Sequence, residues 1–236
     1  MDAKIFVTGD IHGEYSPRLM PSFMSDITDY NTLTKDDFMI IAGDVGCCWD
    51  NSENDKAFQT WLSNRPWTTL WCDGNHENFD IINNYPVTEW HGGKVHMITP
   101  SLIHLMRGQV YEINNKTFFV MGGAVSIDKH YRRKGISWWE EELPSLKEYE
   151  EAEKNLKAHN YTVDYVISHC CSSRTQYKID RSFTRDSLTD WLNDIEAQLE
   201  YQHWYFGHYH FDETLDDRHT CLYNKVVPIG ATLLNE

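Results

Sequence analysis

Five short apolar runs, each stopping at a polar cluster that carries Asp, Asn or His, constrain this chain more than any other feature. Phe38-Met39-Ile40-Ile41-Ala42 runs into Gly43-Asp44, and Ile5-Phe6-Val7-Thr8 runs into Gly9-Asp10-Ile11-His12-Gly13. Thr69-Leu70-Trp71-Cys72 leads to Asp73-Gly74-Asn75-His76-Glu77, and Tyr165-Val166-Ile167-Ser168 to His169. Trp204-Tyr205-Phe206 leads to Gly207-His208-Tyr209-His210. A short apolar run bounded by turn residues reads as a strand buried on both faces. Open α/β sheets bind ligands at the carboxyl ends of such strands. Packing does not require five strands to deliver Asp, Asn or His at that edge.

Between these strands the chain supplies helices. Ser52 precedes a stripe at Phe58, Trp61 and Leu62, which predicts a helix over Glu53–Asn64 with a capping-box-like start at Ser52 and Asp55, ended by Arg65-Pro66. Ser145 and Glu148 form a capping box for a helix reaching about His159, with Leu146, Tyr149, Ala152 and Leu156 as its buried stripe. Leu188, Trp191, Leu192, Ile195 and Leu199 mark another. Residues 14–35 read as a polar connection with some helix, 124–139 as an irregular loop with a basic core, and 172–185 as a polar loop. From Val87 to Gly123 the character changes. Val95–Ile98, Leu102–Met106, Val110–Ile113 and Thr117–Met121 read as antiparallel strands of a second sheet, with Asn114-Asn115 as a hairpin turn. Two short strands near Cys221–Tyr223 and Val226–Ile229 close the chain. The expected organisation is α/β: one domain over residues 1–236, two packed sheets with helices outside.

Composition narrows the function classes. With 36 acidic and 21 basic residues the formal charge is −15, which disfavours a nucleic-acid binder that neutralises phosphates with cationic side chains. It leaves room for an anionic substrate, because bound divalent cations can dominate a site's local charge. No apolar run approaches the roughly 18 residues of a membrane helix. Met1-Asp2-Ala3-Lys4 passes directly into the first strand, so no signal peptide is expected. The six cysteines lack Cys-x-x-Cys zinc spacing and read as free thiols of a cytoplasmic protein.

Taken singly, each motif has a packing explanation: a tight turn at Gly9-Asp10-Ile11-His12-Gly13, a helix cap at Asn75, a satisfied strand-end imidazole at His169. Taken together, Asp10, His12, Asp44, Asn75, His76, His169, His208 and His210 form a mixed nitrogen and oxygen set that suits Mn, Fe or Zn better than Ca or Mg. Residues two apart share a face of a strand, so Asp10 with His12 and His208 with His210 can point together. Eight candidates exceed one tetrahedral site and suit a pair of cations about 3.5–4 Å apart.

The order Asp-x-His, Gly-Asp, Gly-Asn-His-Glu, His, Gly-His-x-His resembles that of the calcineurin-like metallophosphoesterases and spans residues 9 to 210. The resemblance implies a four-layer αββα sandwich of two mixed sheets flanked by helices. It implies two divalent metal ions, Mn first, with Fe, Zn or Ni as alternatives. One would be held by Asp10, His12, Asp44 and His210, the other by Asp44, Asn75, His169 and His208, with Asp44 bridging. A hydroxide between the cations would attack phosphorus, and His76 would protonate the leaving oxygen or stabilise the transition state.

The departures from the family pattern bear on substrate. Where relatives near the Ser/Thr protein phosphatases carry x-x-Asp-Arg-Gly after the bridging Asp, this chain has Val45-Gly46-Cys47-Cys48-Trp49, and Asp73 replaces their Arg before Gly-Asn-His-Glu. Both arginine forks for a phosphate dianion are missing. A phosphodiester or small nucleotide substrate is therefore favoured, with a Ser/Thr phosphatase-like phosphomonoesterase as the alternative. A non-catalytic scaffold is disfavoured, because every ligand position and His76 are filled. His130, Arg132 and Arg133 in the basic loop are the candidate replacement clamp.

Overall fold

The computed structural model describes residues 3–233; Met1 and Asp2, and the last three residues of the expected 1–236 span, lie outside them. The first three apolar runs form β1 (Ile5–Thr8), β2 (Phe38–Ile41) and β3 (Thr68–Trp71), paired in parallel. β4 (Val87–Trp90), β5 (Gly93–Thr99) and β6 (Leu102–Leu105) follow, then β7 (Gln109–Ile113) and β8 (Lys116–Met121). β9 (Tyr165–Ser168) and β10 (His203–Phe206) are the last two of the apolar runs. β11 (Glu213–Asp216), β12 (His219–Cys221) and β13 (Val226–Pro228) end the fold.

These strands make two mixed sheets of matching design. The first runs β13-β1-β2-β3-β6-β5-β4, with β1, β2, β3 and β6 parallel. The second runs β11-β12-β10-β9-β8-β7, with β12, β10, β9 and β8 parallel. Antiparallel strands edge both. The expected grouping of residues 95–121 into the second sheet is corrected: β5 and β6 extend the first sheet, and only β7 and β8 enter the second. The cause is β6, which lies parallel to β3 in the register Leu70↔Ile103. Alternation in the sequence fixes which face a residue takes, not which strand it pairs with. Asn114 and Asn115 do turn the β7–β8 hairpin, both with positive φ, as a two-residue turn of that hand needs.

Alternation within each strand builds three layers of core. Ile5, Val7, Ile40 and Leu70 of the first sheet meet Phe118, Val120, Ile167 and Tyr205 of the second. The outward residues Phe6, Met39, Ile41 and Trp71 pack on Phe58 and Leu62 of α2 (Glu53–Ser63), with Met24 of α1 (Pro21–Met24). On the far side Phe119, Val166, Trp204 and Phe206 pack under α4 (Leu146–Ala158) and α6 (Ser187–Glu196), while α3 (Phe79–Ile82) follows the third motif. Each buried aliphatic or aromatic side chain contributes roughly 1.5–3 kcal/mol. The result is the expected αββα sandwich.

Local signals were read with mixed fidelity. Ser145 and Glu148 form the reciprocal capping box, but Leu146 is 73% exposed, so the stripe of α4 begins later than expected. Ser52 caps α2, whereas Asp55 turns away to accept the N–H groups of Trp49, Asp50 and Asn51 at 2.7–2.9 Å. The polar loop expected over 172–185 contains α5 (Ser173–Ile179), capped by Ser172 and buried through Thr175 and Gln176, side chains with no apolar period to betray a helix. β11, with no fully buried residue, was likewise invisible to an apolar-run reading. Among the described residues no helix is long and apolar enough to cross a membrane.

Candidate metal centre

The carboxyl ends of β1, β2, β3, β9 and β10 converge where the two sheets meet. Two groups of acidic and imidazole side chains lie there, with ligand atoms within 4.8 Å of one another: Asp10, His12 and His210, and Asp10, Asp44 and His169. His12 Nε2 and His210 Nε2 face each other at 3.1 Å, and His210 Nε2 is 3.1 Å from Asp10 Oδ2. Asp44 Oδ2 stands between the groups, 3.9 Å from His12 Nδ1 and 3.4 Å from His169 Nε2. That oxygen is buried and has no hydrogen-bond partner. Asp10 also faces both groups, through Oδ2 toward His210 and Oδ1 toward His169.

The second group has its orientation fixed from behind. His169 Nδ1 donates to the Ala42 carbonyl at 2.8 Å, which leaves Nε2 directed at Asp44 and at Asn75 Oδ1, 3.1 Å away. Asn75 donates its amide N–H to Ser126 Oγ at 3.0 Å, so its carbonyl oxygen is the end turned inward. His208 places its ring 5.0 Å from that of His169 and donates its backbone N–H to Asp10. Burial pushes the His208 imidazole down to about 3, which keeps its ring neutral. Burial raises the Asp44 carboxyl, but the His169 and His76 charges outweigh it and hold the group below the usual carboxylate range.

Holding these groups together strains the backbone. His12, Asp44, His208 and His210 all have φ between 47° and 68°, a left-handed conformation that disfavours side chains by about 1 kcal/mol or more each. Glycines then allow the strand ends to close. A Cβ on Gly207 would lie 2.2 Å from Asp10 Oδ1, and one on Gly74 would lie 2.0 Å from Asp44 Oδ1. The donor set fits hard or borderline divalent cations: carboxylates, an amide oxygen and imidazoles with tautomers set by outer hydrogen bonds, around an unpartnered carboxylate oxygen.

His76 belongs to the same cavity, a volume of about 490 Å³ that Asp44, Asn75, Arg132, His208 and His210 also line. Its backbone N–H donates to Asp44 Oδ1 at 2.7 Å, and its ring meets His12 edge-on at 5.5 Å. The Cys47 side chain, in the loop after β2, is buried in the outer core. Arg132 lies against the His76 ring, with Nη1 2.9 Å from Nδ1 and Nη2 3.2 Å from Nε2. Asp128 holds Arg132 through a 2.8 Å ion pair. Of the three loop residues singled out, Arg132 enters the cavity, whereas His130 and Arg133 sit on the exposed side of the same turn.

Sequence reading missed the supports. Asp73, in the place of an arginine, is buried in an ion pair with Arg107 and hydrogen-bonded to His104 at 3.1 Å. Burial raises its carboxyl, but Arg107 and His104 bring it down to about 2. Glu77 accepts the N–H groups of Val45 and Gly46 and so ties the β2 loop to the β3 loop. Arg18 donates to the carbonyls of Gly9 and Asp10. Glu77 was visible in its motif; nothing near Arg18 or Arg107 in the sequence marks either.

The model of the calcineurin-like phosphoesterase family matches residues 3–212. Among curated proteins no match to the chain was found. The matched span includes all five strand-end motifs and the parallel strands β1, β2, β3, β6, β8, β9 and β10, while β12 lies beyond it. The family typically binds divalent metals, and the Asp and His groups above are candidate ligands. The chain therefore belongs to the calcineurin-like phosphoesterases, metal-dependent hydrolases of phosphoric esters.

Proposed function

We propose that the whole chain, residues 1–236, works as one metallophosphoesterase domain that uses two divalent cations to hydrolyse a small phosphodiester or nucleotide in the cytoplasm. The observation that carries the reading is the buried, unpartnered Asp44 Oδ2 between two groups of imidazoles. Asp10, His12, Asp44 and His210 would hold one cation. Asp44, Asn75, His169 and His208 would hold the other, and manganese suits this donor set, with iron, zinc or nickel as alternatives. When bound, such a pair supplies Lewis acidity, making water nucleophilic near neutral pH and neutralising charge on the phosphoryl oxygens.

The chain's own residues do the rest. The φ-strained turns and the hydrogen bonds behind His169 and Asn75 fix the ligands before substrate arrives, so little reorganisation remains for the reaction. His76, whose backbone N–H is fixed on Asp44, would offer a proton or hydrogen bond to the leaving oxygen once a ring nitrogen turns from the Arg132 guanidinium to the substrate. Arg132, whose Nε is paired with Asp128 and whose Nη1 and Nη2 face His76, lines the cavity and would meet a phosphoryl oxygen by exchanging one of these contacts for it. Six buried thiols, none in a disulfide, suit a reducing compartment.

One observation favours the phosphomonoesterase alternative: Arg132 does bring a single guanidinium into the cavity. A substrate panel with Mn²⁺ separates the two. Faster turnover of bis-p-nitrophenyl phosphate or cyclic nucleotides than of p-nitrophenyl phosphate or a phosphopeptide supports the diester reading. The reverse order overturns it, and no turnover of any of them rejects the hydrolase.

A further inference from the structure

His210 is half-exposed, its side chain at 48%, whereas Asp10, Asp44 and His169 are buried. Its contacts to Asp10 and His12 both fall on Nε2, at one edge of the ring. The flat of the ring is covered by Tyr223, with centroids 4.6 Å apart and planes within 18° of parallel. Three features hold Tyr223 there. Asp212, two residues after His210, accepts the backbone N–H groups of Tyr223, Asn224 and Lys225 at 2.8–3.1 Å, which ties the turn carrying the tyrosine to the loop carrying the histidine. Gly9 lets that turn press on the Asp10 motif: a Cβ there would overlap the Leu222 carbonyl oxygen and lie 3.0 Å from Tyr223 Cα. Arg18, which donates to the Gly9 and Asp10 carbonyls, places its guanidinium carbon over the Tyr223 ring, 5.9 Å from the centroid. Tyr223 therefore joins the two stretches that supply Asp10 and His210, and it lies outside the span matched by the family.

We propose that Tyr223 is a positioning residue of the metal centre, whose ring holds the His210 imidazole with Nε2 turned toward Asp10 before a cation arrives. The inference rests on the proposed function for the role of His210 as a ligand. A side chain so exposed and without the stack regains rotamer freedom, and cation binding must then take that freedom back. The loss amounts to roughly two- to tenfold in affinity at the site His210 serves. The stack uses the tyrosine ring and the anchors use its main chain, so phenylalanine serves in its place. Leucine has similar bulk but no flat face to set against an imidazole, and so it separates stacking from mere filling of space. The second cation, among Asn75, His169 and His208, has its orientation fixed by the Ala42 carbonyl and by Ser126, and Tyr223 touches none of these supports.

The test reads metal binding rather than turnover. The full chain, stripped of metal, is titrated with Mn²⁺ by calorimetry and followed by electron paramagnetic resonance. Wild type and Tyr223→Phe should each take up two Mn²⁺ with matching affinities and show the exchange-coupled signal of a cation pair. Tyr223→Leu should bind one Mn²⁺ as wild type does and the other roughly two- to tenfold more weakly, so that at limiting Mn²⁺ the coupled signal gives way to that of isolated ions. Asp212→Ala, which frees the turn but leaves both rings in the chain, should weaken the same site. In the metal-free chain the His210 ring protons should be shifted upfield by the Tyr223 ring current, and Tyr223→Leu should abolish that shift. Equal affinities at both sites in wild type and Tyr223→Leu, or no ring-current shift at His210, overturns the inference while two bound Mn²⁺ still stand for the centre. Fewer than two Mn²⁺ on the wild type overturns the two-cation reading and this inference with it.

Discussion

Replacing Gly74 by alanine adds one methyl group to the chain and removes no functional atom, so it tests geometry alone. The new Cβ would lie 2.0 Å from Asp44 Oδ1 and 2.5 Å from the Asp44 backbone nitrogen. Ordinary contact begins at 3.4 Å, so the Asp44 carboxylate or the β3 loop must retreat by more than 1 Å. Asp44 Oδ1 also accepts the His76 N–H at 2.7 Å, and that bond cannot survive such a shift unchanged. Overpacking of this kind costs about 1–3 kcal/mol of stability. Misplacement of a reacting group by about 1 Å costs about 100-fold in rate. Gly74→Ala should therefore lower kcat on bis-p-nitrophenyl phosphate with Mn²⁺ by about 100-fold, with an unchanged far-ultraviolet circular dichroism spectrum. Urea unfolding should show the modest stability loss. Wild-type turnover in the alanine variant would refute the claim that Asp44 and His76 are positioned by the close approach of these two loops.

Further outcomes follow from other contacts. Arg132→Ala should raise KM and lower kcat/KM by roughly 10- to 100-fold, since it removes both the guanidinium offered to substrate and the group that fixes the His76 ring. Arg107→Met should destabilise the fold by about 3 kcal/mol in urea unfolding, because it removes the cation paired with the buried Asp73 carboxylate and leaves only the His104 hydrogen bond on it. Burial pushes the His203 imidazole down to about 4, so between pH about 6.5 and 4 the unfolded chain takes up a proton that the native one refuses. Its contribution thus makes stability fall as pH falls through that window. His203→Gln, which can keep the bond to Thr220 Oγ1, should flatten that part of a denaturant-derived pH profile.

How much of this was legible in the sequence depended on whether the signal was local. Apolar runs ending in Gly-Asp or Gly-His mark strands and their functional ends, because burial and turn geometry act within a few residues. The Asn114-Asn115 turn and the Ser145 cap were readable for the same reason. Pairing was not: nothing in Leu102–Leu105 says that it lies parallel to β3, and that one choice moves β4–β6 into the first sheet. Supports from distant positions were equally hidden. Asp73 reads as a lost phosphate clamp, but in the fold it is the buried partner of Arg107, 34 residues on. Arg132 reaches His76 from a loop whose course no periodicity encodes. Gln176 sits in a polar stretch that gave no hint of a buried helix.

The central claim is that side chains from five strand ends hold two cations, one on each side of Asp44. Anomalous diffraction at the manganese edge, from crystals of chelator-free protein soaked in Mn²⁺, tests it directly. Two peaks about 3.5–4 Å apart are expected, one among Asp10, His12 and His210 and the other among Asn75, His169 and His208, both within coordinating distance of Asp44. No peak in this cluster, or a single peak out of reach of Asp44, would contradict the account.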